Sequence, residues 1–241
     1  MKRDNKKDFY EQIGYHNLHL DEARKRMDKA QAYKDLSTVW ICVSRGQLPC
    51  KIFSSWFGLM RPMNQKIVGP LFVEGKEVGA GYQAAVEMIL AHPELKNWKY
   101  LLTVEEDNCP PPDGLLKLYE SIEKFDAVGG LYWTKGEGGL PMIYGDVHSI
   151  PKNFIPQMPR PDTIQECNGL GMGFDLFRIS MFKKLNPPWF RTVQEVVPNV
   201  GARAYTQDLW FFENAGREGY RFACDTRVKV GHFDAANNMM W

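Results

Sequence analysis

The chain has 241 residues, 44% of them apolar, which is enough for one α/β domain with a sizeable core and excludes global disorder. Thirty Lys and Arg against 29 Asp and Glu leave a formal charge of +1, so no overall field marks a nucleic-acid binder. Five scattered cysteines without a CxxC pair exclude a zinc or disulfide framework, and no run reaches the roughly 18 apolar residues of a membrane span; a cytoplasmic protein is expected.

In chain order, residues 1–36 are polar and basic, with Lys6, Lys7, Arg24, Lys25, Arg26 and Lys29. Leu20, Ala23, Met27 and Ala30 add a thin apolar stripe at helical spacing, which predicts a surface helix or a phosphate-facing arm. TVWICVS (Thr38–Ser44) is short, apolar and rich in β formers, so it predicts a strand, and Ser44, Arg45 and Gly46 turn the chain. A helix over 50–59 would bury Ile52, Trp56 and Leu59. A strand follows over 67–73, interrupted by Gly69 and Pro70, and then a helix over 78–90 closed by Pro93.

YLLTV (Tyr100–Val104) is the next strand, and it runs directly into Glu105, Glu106, Asp107 and Asn108. Asp113 is placed to cap a helix carrying Leu115, Leu116, Tyr119 and Ile122. A further strand is expected over 125–132. Strands alternating with helices at this spacing predict crossover units and a mainly parallel sheet flanked by helices. The rhythm breaks over 133–166, rich in Gly and Pro, where a functional loop or lid is expected. Residues 169–185 then read as a strand passing into a short helix. Thr206 caps a helix through QDLWFFENA, and strands at 220–224 and 227–230 deliver Gly231, His232, Phe233 and Asp234.

The carboxylates after Val104 carry the strongest chemical signal. Carboxyl ends of strands are where open α/β sheets bind ligands, and clustered acids repel unless a cation offsets them. Glu105 and Asp107, two apart on an extended segment, would face the same way. They suit Mg2+ or Mn2+ held between protein carboxylates and substrate phosphates, against the plainer alternative of a solvated acidic turn. His232 offers an imidazole if the fold returns it to that strand end. Asp208 stands in the first turn of a helix, where it can favour the dipole or act as a general base. Gly169, Gly171 and Gly173 lack the context of a dinucleotide fingerprint or a P-loop.

Four segments in order resemble the GT-A fold glycosyltransferases, particularly the family 2-like group. TVWICVSRG resembles their opening nucleotide-binding strand, and YLLTVEEDNCPPPDGLLKLYE their Asp-X-Asp motif and proline-led helix. NGLGMGFDLFRISMFKKL resembles the glycine-rich acceptor-side segment. YTQDLWFFENAGREGYRFACDTRVKVGH resembles the helix bearing Glu-Asp, the strands after it and a metal-binding His. Three departures are visible: Glu105 for the first Asp, Gln207 for the Glu of Glu-Asp, and Tyr82-Gln83 for a frequent Arg-Asn.

The resemblance implies a GT-A-like domain over 37–234, after a basic helical extension (1–36) and before a tail (235–241). It implies Asp107 and His232 as metal ligands with Glu105 in support, Ser44, Arg45, Glu105 and Asp107 about the donor, and Asp208 as catalytic base. The implied reaction is metal-dependent transfer, with inversion, from a UDP- or GDP-linked sugar to a hydroxyl acceptor. That acceptor could be a glycan or a hydroxymethylated DNA base. A sugar-phosphate nucleotidyltransferase and a non-catalytic carbohydrate- or nucleic-acid-binding domain are the alternative classes.

Overall fold

The computed structural model describes residues 34–197 and 201–241, so the helix expected through Leu20 and Ala30 lies outside the described residues. Strand β1 (Thr38–Ser44) forms as its β-rich composition predicts. Its alternation sends Val39 and Ile41 into one core and Trp40 and Cys42 into another. Helix α1 (Cys50–Phe57) buries Ile52 and Trp56, and β2 (Ile67–Glu74) returns parallel to β1. Helix α2 (Val78–Ala91) begins where the Glu77 carboxylate accepts the Ala80 N–H at 3.0 Å, and it buries Tyr82, Ala85, Val86 and Ile89.

Strand β3 (Tyr100–Val104) is buried throughout, and the short β4 (Asn108–Cys109) and α3 (Gly114–Ser121) follow it. Asp113, expected to cap α3, makes no capping bond, because its carboxylate is committed to Lys117 Nζ at 2.7 Å one turn on. Strand β5 (Ala127–Leu131) is fully buried.

The segment 133–166 is tied down along its length. It holds β6 (Ile143–Tyr144), bridges from Trp133 to Pro141 and from Tyr144 to Pro156, and the start of β7 (Ile164–Cys167). Strand β8 (Gly169–Leu170) pairs with β6, and β9 (Phe174–Arg178) leads into α4 (Ile179–Lys184). The antiparallel pair β10 (Val193–Val197) and β11 (Gly201–Tyr205) has no counterpart among the predicted elements. Helix α5 (Gln207–Arg217) comes next. The two late strands expected at 220–224 and 227–230 are one, β12 (Phe222–Lys229), with a register break between Asp225 and Lys229. Strands β13 (Gly231–Asp234) and β14 (Met239–Met240) form a closing hairpin.

The main sheet runs β2-β1-β3-β9-β5-β12-β7. It is mixed rather than mainly parallel. The pairs β1/β2, β1/β3 and β5/β12 are parallel, while β3/β9, β5/β9 and β7/β12 are antiparallel. The reason lies in the connections. Crossover helices force β1, β2 and β3 to run the same way, but β9 is reached through the non-helical 133–166 segment and enters from the opposite end. One face of the sheet carries α2, α4 and α5 over an aromatic-rich core, and the other carries α1 and α3. Residues Leu36–Trp241 form one compact unit, and among the described residues no helix is long and apolar enough to cross a membrane.

Candidate active site

Because β1 and β3 are parallel neighbours, their carboxyl ends lie side by side, and the two turns that follow meet there. The backbone does not stay extended after Val104. Asn108 N–H donates to the Glu105 carbonyl at 3.0 Å, closing a turn over the acids. All three acids therefore face cavities, where an extended strand would have turned Glu106 away.

Glu106, which sequence reasoning passed over, is the acid that engages Ser44 and Arg45. Its Oε2 accepts from Ser44 Oγ at 2.7 Å and from Arg45 N–H at 2.9 Å, and its Oε1 accepts from Arg45 Nε. Burial pushes its pKa up, but the Ser44 and Arg45 bonds outweigh that and hold the carboxyl below its ordinary value. Ser44 and Arg45 are thus drawn to the β3 end by Glu106.

Glu105 points toward α2, where Tyr82 Oη donates to its Oε1 at 3.4 Å. Burial, followed by the charges of Asp107 and Asp208, pushes its pKa up to about 8. Near neutrality Glu105 is therefore mostly protonated, a poor state for a metal ligand but a good one for donating a hydrogen bond. A cavity of about 280 Å³ lies between Val43, Ser44, Lys76, Val78, Tyr82 and these acids.

Asp107 meets His232 through the β4/β13 pairing, which sets His232 opposite Asn108, while Phe233 N–H donates to the Asp107 carbonyl at 2.7 Å. His232 Nδ1 donates to the Trp133 carbonyl at 2.7 Å, so Nε2 is the nitrogen facing Asp107 Oδ2, 3.5 Å away. The same Oδ2 accepts from Lys135 Nζ at 2.5 Å. Burial alone would raise the Asp107 pKa, yet the bonds and charges of His232 and Lys135 bring it down to about 2. Arg45, Glu106, Asp107, Lys135 and Asp234 share the walls of a second cavity of about 640 Å³.

Asp208 is buried in the first turn of α5, with its Oδ1 accepting from Leu209 N–H at 2.9 Å. Thr206, the expected cap, makes no capping bond, and its hydroxyl is hydrogen-bonded to Asp208 instead. Burial raises the Asp208 pKa against the opposing pull of these bonds. Its charge is felt at Glu105, but it lines neither cavity.

Among the described residues no group of three or more His, Cys, Asp or Glu side chains converges to hold a metal by itself. Asp107 Oδ2 and His232 Nε2 do converge, and the Trp133 carbonyl fixes the imidazole tautomer as a second shell does. This pair would suit a divalent cation that takes its remaining ligands from substrate phosphates and water, and its imidazole favours Mn2+ over Mg2+. Glu105 stands apart from that pair. Lys135, Glu106 and Tyr82 line these cavities without having been assigned from the sequence, where nothing local ties the 133–141 turn to the β3 end.

No protein-family model matches the chain, and no curated protein matches it in sequence. Among solved structures, the crystal structure of A197 from STIV aligns over 85% of this chain and 92% of that chain, at TM-score 0.59 and 18% identity. The crystal structure of S. aureus TarS 1–349 aligns over 78% of this chain and 57% of that chain at TM-score 0.44 and 12% identity, too low a score to bear on the fold. At such identity the likeness shows the fold alone: this chain shares with A197 from STIV the architecture of a mixed sheet flanked by helices.

Proposed function

We propose that the protein transfers a sugar from a nucleoside-diphosphate sugar to a hydroxyl acceptor. The observation that carries this reading is the meeting of Ser44 and Arg45 from the β1 end with Glu105, Glu106 and Asp107 from the β3 end. They meet around cavities large enough for a nucleotide, at the edge where open α/β sheets take ligands. Arg45 and Lys135 face the donor's diphosphate, and protonated Glu105, oriented by the Tyr82 hydroxyl, offers a donor to its polar groups. Asp107 and His232 would hold a divalent cation, Mg2+ or Mn2+, whose charge would stabilise the leaving diphosphate.

Asp208 is the proposed base on the strength of the resemblance and of its electrostatic reach to Glu105, rather than of a place in either cavity wall. The burial that raises its pKa makes its carboxylate a better proton acceptor than a solvated aspartate. The acceptor oxygen bonds to the anomeric carbon as its proton passes to Asp208. The bond to the diphosphate oxygen breaks with its electron pair, and the configuration inverts. The hydroxyl acceptor, a glycan or a modified base, is the open half of the reaction.

Incubation with a panel of UDP- and GDP-sugars, with and without hydroxyl acceptors, should release the nucleoside diphosphate. Asp208→Asn should bind the same nucleotide with unchanged affinity and turn over about 10²–10⁴-fold more slowly. Near-normal turnover in that variant removes Asp208 from the mechanism.

A further inference from the structure

We infer that Lys135 is a built-in counter-ion for Asp107 that a divalent cation must displace, and that the displaced ammonium then serves the diphosphate. This rests on the donor-binding reading above. The Lys135 Nζ lies 2.5 Å from Asp107 Oδ2, the same oxygen that faces His232 Nε2. A cation entering between Asp107 and His232 therefore meets an occupied carboxylate oxygen.

The lysine is held there by a defined turn. Trp133 bridges Pro141, Thr134 N–H donates to the Leu140 carbonyl at 2.9 Å, and Leu140 N–H donates to Thr134 Oγ1 at 2.8 Å. Gly136 and Gly138, at φ 100° and 75°, take the left-handed conformations that let the chain reverse so tightly. The carbonyl of Trp133 in this turn also orients His232. One turn thus positions both the imidazole that would welcome a metal and the ammonium that opposes it.

Charge accounting says why the lysine should exchange rather than substitute. The larger cavity is lined by two cations, Arg45 and Lys135, and three carboxylates, Glu106, Asp107 and Asp234. The balance is one negative charge, which repels a diphosphate. Lys135 alone cannot reverse that balance, because its charge is spent on Asp107. A divalent cation at Asp107 brings the lining to one positive charge and frees Lys135, whose side chain is 32% exposed at the cavity wall, to reach a phosphate oxygen. Metal without nucleotide should then bind weakly, and metal with nucleotide strongly, so that the site loads both together.

The test is Mn2+ binding without nucleotide, read from the free-ion electron paramagnetic resonance signal, for the wild type, Lys135→Ala and Lys135→Arg. The alanine variant should bind Mn2+ about tenfold more tightly, the scale of one lost charge-assisted bond, whereas arginine should keep the weak affinity of the wild type. Calorimetric titration of UDP and GDP in saturating Mn2+ should show the opposite sign, with Lys135→Ala binding nucleotide more weakly. Asp107→Ala should lose Mn2+ binding whether Lys135 is present or not. Mn2+ affinity that is unchanged or reduced in Lys135→Ala overturns the inference, as does nucleotide affinity that rises alongside it. Absence of Mn2+ binding in every variant also overturns it, while nucleotide binding that persists there leaves the donor-site reading standing.

Discussion

Glu105 keeps company that disfavours a charge. Burial, Asp107 and Asp208 all work against ionisation, and the Tyr82 hydroxyl only partly compensates. With a folded pKa of about 8 against an ordinary 4.5, the native state holds a proton there that the unfolded chain releases. Between those two values the native state binds more protons, so stability should fall as pH rises from about 4.5 to about 8. Glu105→Gln keeps the shape and removes the titration, so its urea midpoint should change less between pH 5 and pH 9 than the wild type's. At pH 9 the variant should be the more stable protein by up to a few kcal/mol. Asp175 adds to the same trend. Its carboxyl is fully buried on β9, neither oxygen has a hydrogen-bond partner among the described residues, and burial raises its pKa well above the ordinary range. The glutamine variant should therefore reduce the slope without abolishing it. None of this was legible from EED in the sequence, because a pKa depends on which groups the fold brings close.

At the scale of elements, Arg178 shows how a residue can resemble one thing and do another. In the sequence it belongs to a segment like the acceptor-side stretch of the resembled family. In the fold it ends β9 and reaches the turn after α3, where Nε donates to the Phe125 carbonyl at 2.9 Å and Nη2 to the Ile122 carbonyl at 2.5 Å. These are helix-end carbonyls that need donors, and a cation there also favours the helix dipole. Arg178→Ala should lower the unfolding free energy by about 2 kcal/mol, from lost charge-assisted bonds to partly buried carbonyls. Lysine, a single point of charge, should restore only part of it. Chemical denaturation followed by tryptophan fluorescence reads both. The strands and helices themselves were largely legible, since periods of 2 and 3.6 are written locally: β1, α2 and β3 fall within a residue or two of expectation. The caps were not. Asp113 had Lys117 to pair with and Thr206 had Asp208, and a local motif does not reveal a stronger partner.

At the scale of the whole molecule, residues 239–241 brace the strand that carries His232. His232 N–H donates to the Trp241 carbonyl at 2.9 Å, Trp241 N–H donates back at 3.0 Å, and Met240 pairs with Phe233. Removing residues 239–241 takes both bonds from the strand that carries His232. Nucleotide affinity in Mn2+ should weaken by up to about thirtyfold, in keeping with roughly 1 kcal/mol for each of the two lost bonds, while the far-ultraviolet circular dichroism stays native. Affinity equal to that of the full chain would show that β13 holds His232 without this support. The sequence by itself determined the local elements, the placing of acids at the end of a buried strand, and the presence of a histidine and an aspartate late in the chain. Those follow from hydrophobic period and from the order of residues along a short stretch. Only the tertiary structure decided that β9 enters antiparallel between β3 and β5, that Glu106 grips Ser44 and Arg45, and that Lys135 occupies Asp107. Period tells a strand which face to bury, but not its direction or its neighbour. Those are settled when distant segments compete for the same core, and the company each carboxylate keeps is settled with them.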